Sequence, residues 1–160
     1  MAYLVLKLVH VIAVVLFLGN IITGLFWKSH AQRSKNPAVI AHTFQGIIRA
    51  DRWFTVPGVI VIVTAGIFTA VLENIPILRT GWIFWSIALF LVSGVVFWMR
   101  VAPLQLRIAA LAGSGRSEEQ FDWPRYHSLA RAWEIWGLAA LLTPLAAVVL
   151  MVLKPELPGV

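Results

Sequence analysis

Apolar positions in this chain neither alternate with polar ones at a strand's period of two nor recur only once per helical turn. They run on unbroken in four blocks, residues 3 to 27, 53 to 72, 80 to 99 and 135 to 153. At 1.5 Å per residue each block is long enough to cross a hydrocarbon core of about 30 Å. The last three hold no charged residue, and the first holds only Lys7 and His10. The pattern predicts an all-α fold, an integral membrane four-helix bundle, with the spans using most of the chain as a single domain. The first block is too long for the core of a secretory signal and lacks a basic leader or a small-residue cleavage site, so it is expected to stay as a span.

The stretches between blocks carry their own signals. "NPAVIAHTFQGIIRADRW" opens with a helix start at Asn36 and Pro37 and sets Ile40, Phe44, Ile47 and Ile48 along one side, predicting an amphipathic helix that lies on the membrane surface or runs straight into span two. Span three is expected to continue past Pro103 until Gly113 and Gly115 end it. Ser117 with Gln120 reads as a capping box, and Asp122 with Pro124 as the start of the helix that becomes span four. Small residues mark where helices approach closely: Gly58, Ala65, Gly66 and Ala70, then Ser86, Ser93 and Gly94, then Gly137, Ala140 and Ala147. Pro57 reads as lying near a helix start, where it costs little. Pro144 is expected to kink its helix and free a carbonyl.

Composition agrees with the pattern. Of 160 residues 60% are hydrophobic and 12% charged, far from a soluble domain. The net charge of +6 is concentrated beside two loops: Lys28, Arg33, Lys35, Arg49 and Arg52 flank the first, and Arg100, Arg107, Arg116, Arg125 and Arg131 the third. The second loop and both termini hold only Lys7, Arg79 and Lys154, so both termini should face away from the cytoplasm. Anionic lipid headgroups account for the basic balance, and nucleic-acid binding is a poor explanation of it. Tryptophans support the same boundaries, with Trp27, Trp53, Trp98, Trp133 and Trp136 expected at the inner interface and Trp82 and Trp85 at the outer one. Cysteine is absent, which excludes disulfides, thiolate ligands and a cysteine nucleophile. No nucleotide-binding glycine loop, nucleophile elbow, HExxH or intramembrane carboxylate pair is present, so hydrolase and ATPase chemistry has no support.

The candidate chemistry sits in "KLVHVIAVVLFL". Lys7 and His10 are three apart, on one face with Val14, Phe17 and Ile21, and lie about 6 Å and about 10 Å into the span. Lys7 is long enough to snorkel to headgroups. His10 is not, and its ring must meet either a hydroxyl or carbonyl of a neighbouring helix or a metal. The metal reading is axial ligation of heme iron by His10, with Lys7 beside a propionate and Met151 as the one sulfur at the right level for a second ligand. Met99 lies at the opposite face. His30, His42 and His127 all fall near the basic loops, where solvated histidines are expected rather than a shared divalent ion. Asn20 reads as a bond between helices, and Glu134, three after Arg131, as half of a local ion pair.

"KLVHVIAVV" resembles the first-helix signature of the HemJ-like membrane protoporphyrinogen oxidases. "TVPGVIVIVTAGIF" is similar to that family's second helix, the tryptophan-led third helix ending in arginine is similar, and "VLMVLKP" resembles its closing segment. A group of small bacterial integral membrane proteins of unknown function, related to those oxidases and to the copper-resistance D membrane domain, is more similar still, above all in "LMVLKP" after "RAWEIWG". The resemblance implies a bundle in the bacterial inner membrane that binds heme b, with His10 and Lys7 at the family's histidine and lysine positions. It implies oxidation of protoporphyrinogen IX with electrons passing to quinone or a respiratory chain. The chain departs from that pattern in lacking a lysine in its third helix and in having "TGLFWK" where a proline–arginine pair closes the first. Two rival functions follow from the same residues: a small transporter or copper-uptake module lined by His10, Met151 and Asn20, and a non-catalytic accessory protein whose polar side chains only fasten helices.

Overall fold

The computed structural model describes residues 1–114 and 118–160 and is all helical. The expected signals at Gly115, Arg116 and Ser117 lie outside the described residues. The first rod is α1 (Ala2–Arg33). The second joins α2 (Pro37–Ala50), a π-helical turn (Asp51–Thr55) and α3 (Val56–Leu72) without a break. The third joins α4 (Gly81–Val96), a second π turn (Phe97–Val101) and α5 (Ala102–Ala112), and the fourth is α6 (Trp123–Leu153). All four rods are long and apolar enough to span a membrane. Asn36 starts α2 as expected, its side chain accepting from the amides of Ala38 and Val39, and Asp122 starts α6 by accepting from Arg125 N.

The second rod has 36 residues and is about 54 Å long, so the segment from Pro37 runs straight into the span instead of lying on the surface. Pro57 falls in the first turn of α3 as expected, but α3 continues the rod from α2 through the π turn, so the proline has to be accommodated inside a continuous helix. Pro57 and Pro103 each fall two residues beyond the end of a π turn. A proline has no N–H and its ring collides with the carbonyl four residues back, here Trp53 and Met99, both inside those turns. Widening the turn, so that Val56 N reaches Asp51 O and Ala102 N reaches Phe97 O, lets the rod pass the proline. Pro144 frees the carbonyl of Ala140 as expected, and Ser93 Oγ donates to it at 2.7 Å. One heptad further out, Ser86 Oγ donates to Ala147 O at 3.2 Å, so the two serines set the antiparallel register of α4 on α6.

The solvent changes along these rods. Most exposed apolar side chains coat one part of the molecule, bounded by the ring of exposed tryptophans Trp27, Trp53, Trp98 and Trp136, with Val39 and Leu106 exposed beyond them. Beyond that ring the rods continue as a closed bundle whose core is Ile40, Phe44, Ile47, Val101, Ile108, Ala112, Phe121, Tyr126, Ala130 and Trp133. Trp133, expected at the interface, belongs to this core instead: it is 3% exposed and meets Phe44 edge-on at 5.5 Å. Water on the outside of this basic end makes burial of aliphatic and aromatic groups favourable there. Within the coated part the core is thin, and α1 packs along α3 while α4 packs along α6. Between α3 and either α4 or α6 no comparable packing occurs among the described residues. Phe90 bridges the pairs by packing on Ala13, Phe17 and Ile62. At the far end the chain turns back, Val160 N donating to Leu78 O and Trp85 Nε1 to Pro158 O. Gly81 is required there because a Cβ would stand 2.0 Å from Leu157 O.

Ser93→Ala is expected to destabilise the protein by about 1 kcal/mol, because it strands the Ala140 carbonyl in an apolar layer. In the Pro144→Ala background the restored backbone N–H takes over that carbonyl, and the cost should vanish. A double-mutant cycle on thermal unfolding in detergent measures this, and purely additive effects refute the pairing.

Candidate functional site

His10 lies on the packing seam of α1, which runs through Tyr3, Leu6, His10, Ala13 and Phe17. Its Nδ1 is 2.8 Å from Ile62 O on α3. The ring can come so close because residue 66 is glycine; a Cβ there would stand 3.1 Å from both Nδ1 and Cε1. With Nδ1 donating to the carbonyl, Nε2 is the nitrogen left with its lone pair. Lys7 is off this seam, contrary to the shared face expected from its spacing. It is exposed, and its Nζ lies 5.7 Å from the centroid of the Tyr3 ring, one turn nearer the terminus.

Met151 is half-buried on α6, between Ala147, which accepts from Ser86, and Lys154, which stacks on Trp82. It therefore belongs to the α4–α6 pair, while His10 belongs to the α1–α3 pair. Asn20 is ten residues from His10, about 15 Å along the helix, and is directed elsewhere. His30, His42 and His127 are exposed, and among the described residues no group of three histidine or acidic side chains is arranged to hold a metal ion.

Asn20 leads to a polar cluster for which the sequence showed no pattern. Asp51, 8% exposed, opens the first π turn. Its Oδ1 accepts from Asn20 Nδ2 at 2.9 Å and from Thr55 Oγ1 at 2.8 Å, and its Oδ2 accepts from Gln105 Nε2 at 2.9 Å. Asn20 Nδ2 also reaches Thr55 Oγ1 at 3.0 Å. Three rods are thus tied to one carboxylate just below the tryptophan ring. Thr55 and Gln105 are buried as well. The one available signal was Asp51 beside Asn20's expected search for a partner, and nothing in the sequence placed Gln105 opposite.

A second polar contact closes the basic end. Lys28, only 2% exposed, donates to Glu134 Oε1 and to Gln32 Oε1. The expected local pair of Glu134 with Arg131 is replaced by this link from α6 to α1, because Lys28 is buried and needs the counter-charge while Arg131 is exposed. Glu134 also borders a half-open cleft of about 540 Å³ with Gln32, Arg33, Lys35, Trp123 and His127.

The fold and these sites define a multi-pass helical membrane protein with one inward histidine and one buried, multiply bonded carboxylate. The chain belongs to the family described as predicted integral membrane protein (DUF2269), whose pattern matches residues 4–155. No curated protein and no solved structure matches the chain.

Glu134→Ala leaves Lys28 buried without its counter-charge and is expected to cost about 2 kcal/mol, below the usual range for a fully buried pair because Glu134 is itself 44% exposed. Lys28→Met removes the buried charge and should cost less. Chemical or thermal unfolding of both variants checks the order, and the reverse order counts against a buried, charge-dependent link.

Proposed function

We propose that this protein binds heme b through His10 and has a redox role in the membrane. The observation that supports the reading is the His10–Ile62 contact, in which Nδ1 is held by a backbone carbonyl and Nε2 is left with its lone pair. That is how metal-bound histidines are commonly oriented, and the carbonyl raises the basicity of the ligating nitrogen. His10 lies on the α1–α3 pair one turn from the cluster of Ala13, Phe17 and Ile62, against which Phe90 of α4 packs, so a group held by its ring would sit beside the facing α4–α6 pair. Lys7, exposed and one turn nearer the terminus, supplies a cation for a propionate. Met151 is the candidate second ligand from the facing pair.

Bound heme supplies one-electron chemistry that side chains lack. The chain's own part is to orient the imidazole, provide the counter-charge and exclude water. The similarity to HemJ-like oxidases extends the proposal to a porphyrinogen substrate and a quinone or respiratory electron acceptor. The same similarity extends it to a bacterial inner-membrane location, and lysine and arginine asymmetry supports an orientation with the basic end cytoplasmic and both termini periplasmic.

The same contact favours a second reading, a non-catalytic membrane protein in which His10 only fastens α1 to α3, since the imidazole already has a polar partner. A copper-uptake path lined by His10, Asn20 and Met151 loses Asn20, which is committed to Asp51 and Thr55.

A reduced-minus-oxidised absorption spectrum of the purified protein decides between the first two. The heme reading expects a b-type signal that His10→Ala abolishes, that Gly66→Ala weakens by crowding the ring, and that Met151→Leu shifts if the methionine is a ligand. A colourless, stable protein, with and without added hemin, removes the heme assignment and leaves the fastening role.

A further inference from the structure

Both oxygens of the Asp51 carboxylate are hydrogen-bonded, but no cation answers its charge. Its three donors, Asn20, Thr55 and Gln105, are all neutral. Among the described residues no cationic side chain pairs with it, and every charged neighbour in the adjoining rods is engaged or turned outward. Arg49, Arg52 and Arg107 are exposed, Arg100 stacks on the Trp136 ring at 5.1 Å, and Lys28 is taken by Glu134. A buried carboxylate with no cation at the edge of a membrane is costly, and such groups are known to mark ion and proton sites.

The geometry points to a monovalent-cation site at this carboxylate, occupied by Na⁺ or by the proton that competes with it. Thr55 Oγ1 lies 2.8 Å from Asp51 Oδ1, and the amide nitrogens of Asn20 and Gln105 stand 2.9 Å from Asp51 Oδ1 and Oδ2 respectively. Half a turn of either amide exchanges its nitrogen for an oxygen at nearly the same place. The four side chains then offer oxygen ligands only, the donor set that hard cations take. The π turn gives the site its shape. Widening the helix at Asp51–Thr55 redirects the carboxylate across the bundle to Gln105, and such turns often occur at functional positions. Because Asn20, Asp51 and Gln105 come from three different rods, a bound cation also binds those rods to one another. This site is about 15 Å from His10 along α1 and does not depend on heme.

The test uses the full-length protein in detergent and follows its thermal unfolding while NaCl replaces choline chloride at constant ionic strength. Sodium should raise the midpoint saturably, by about 5 °C at saturation. If the occupant is a proton, sodium has no effect, and lowering the pH in choline chloride stabilises the wild type instead. Either response must be absent in Asp51→Asn, which carries a neutral amide in place of the carboxylate. Gln105→Ala keeps the charge but loses a ligand and should weaken the cation response about tenfold. Should Asp51→Asn fail to fold, the Gln105→Ala titration decides alone. A wild type indifferent to both sodium and pH, or an unchanged sodium response in Gln105→Ala, overturns the proposal, and a pH response without a sodium response overturns the cation site because any buried carboxylate is stabilised by a proton.

Discussion

The structure depends on a change of solvent partway along four continuous rods. On the basic side of the Trp27, Trp53, Trp98 and Trp136 ring, water surrounds the bundle, and burying Ile40, Phe44, Ile108, Tyr126 and Trp133 is favourable. On the other side lipid is as apolar as a leucine side chain, so apolar contacts between helices gain little over contacts with lipid. The consequence is visible in the packing. Large side chains interlock throughout the basic end, whereas in the coated part helices meet largely through small residues such as Gly58, Gly66, Ser86, Ser93 and Ala140, with one small cluster of Phe17, Ile62 and Phe90.

Where dispersion and the hydrophobic effect are weak, hydrogen bonds take over the specification of neighbours. His10 bonds the carbonyl of Ile62, Ser93 the carbonyl that Pro144 releases, and Ser86 that of Ala147. Each joins one helix to one partner, and together they define the two pairs. The prolines and their remedies are part of the same arrangement: the carbonyl freed by Pro144 is answered by a hydroxyl from the next helix, while Pro57 and Pro103 are answered within their own rods by π turns. The Asp51 cluster differs in kind, because it joins three rods through one carboxyl group whose donors are all neutral side chains.

The spans, their number and the tryptophan ring were legible in the amino-acid pattern because lipid imposes length and apolarity residue by residue, with no need to know what packs on what. Asn36, Asp122 and the continuation past Pro103 were legible for a similar reason, since capping and turn chemistry act within a few residues. His10 was conspicuous because an imidazole cannot reach water from that depth. Which polar groups meet is another matter: Gln105 faces Asp51 across 54 positions, and Lys28 faces Glu134 across 106. Such encounters depend on rotation and register of whole helices. For the same reason Glu134 chose a distant lysine over the arginine one turn away, and Trp133 turned to the core and not to the interface. Local periodicity determined the membrane architecture, and only the assembled bundle decided where its charges are answered.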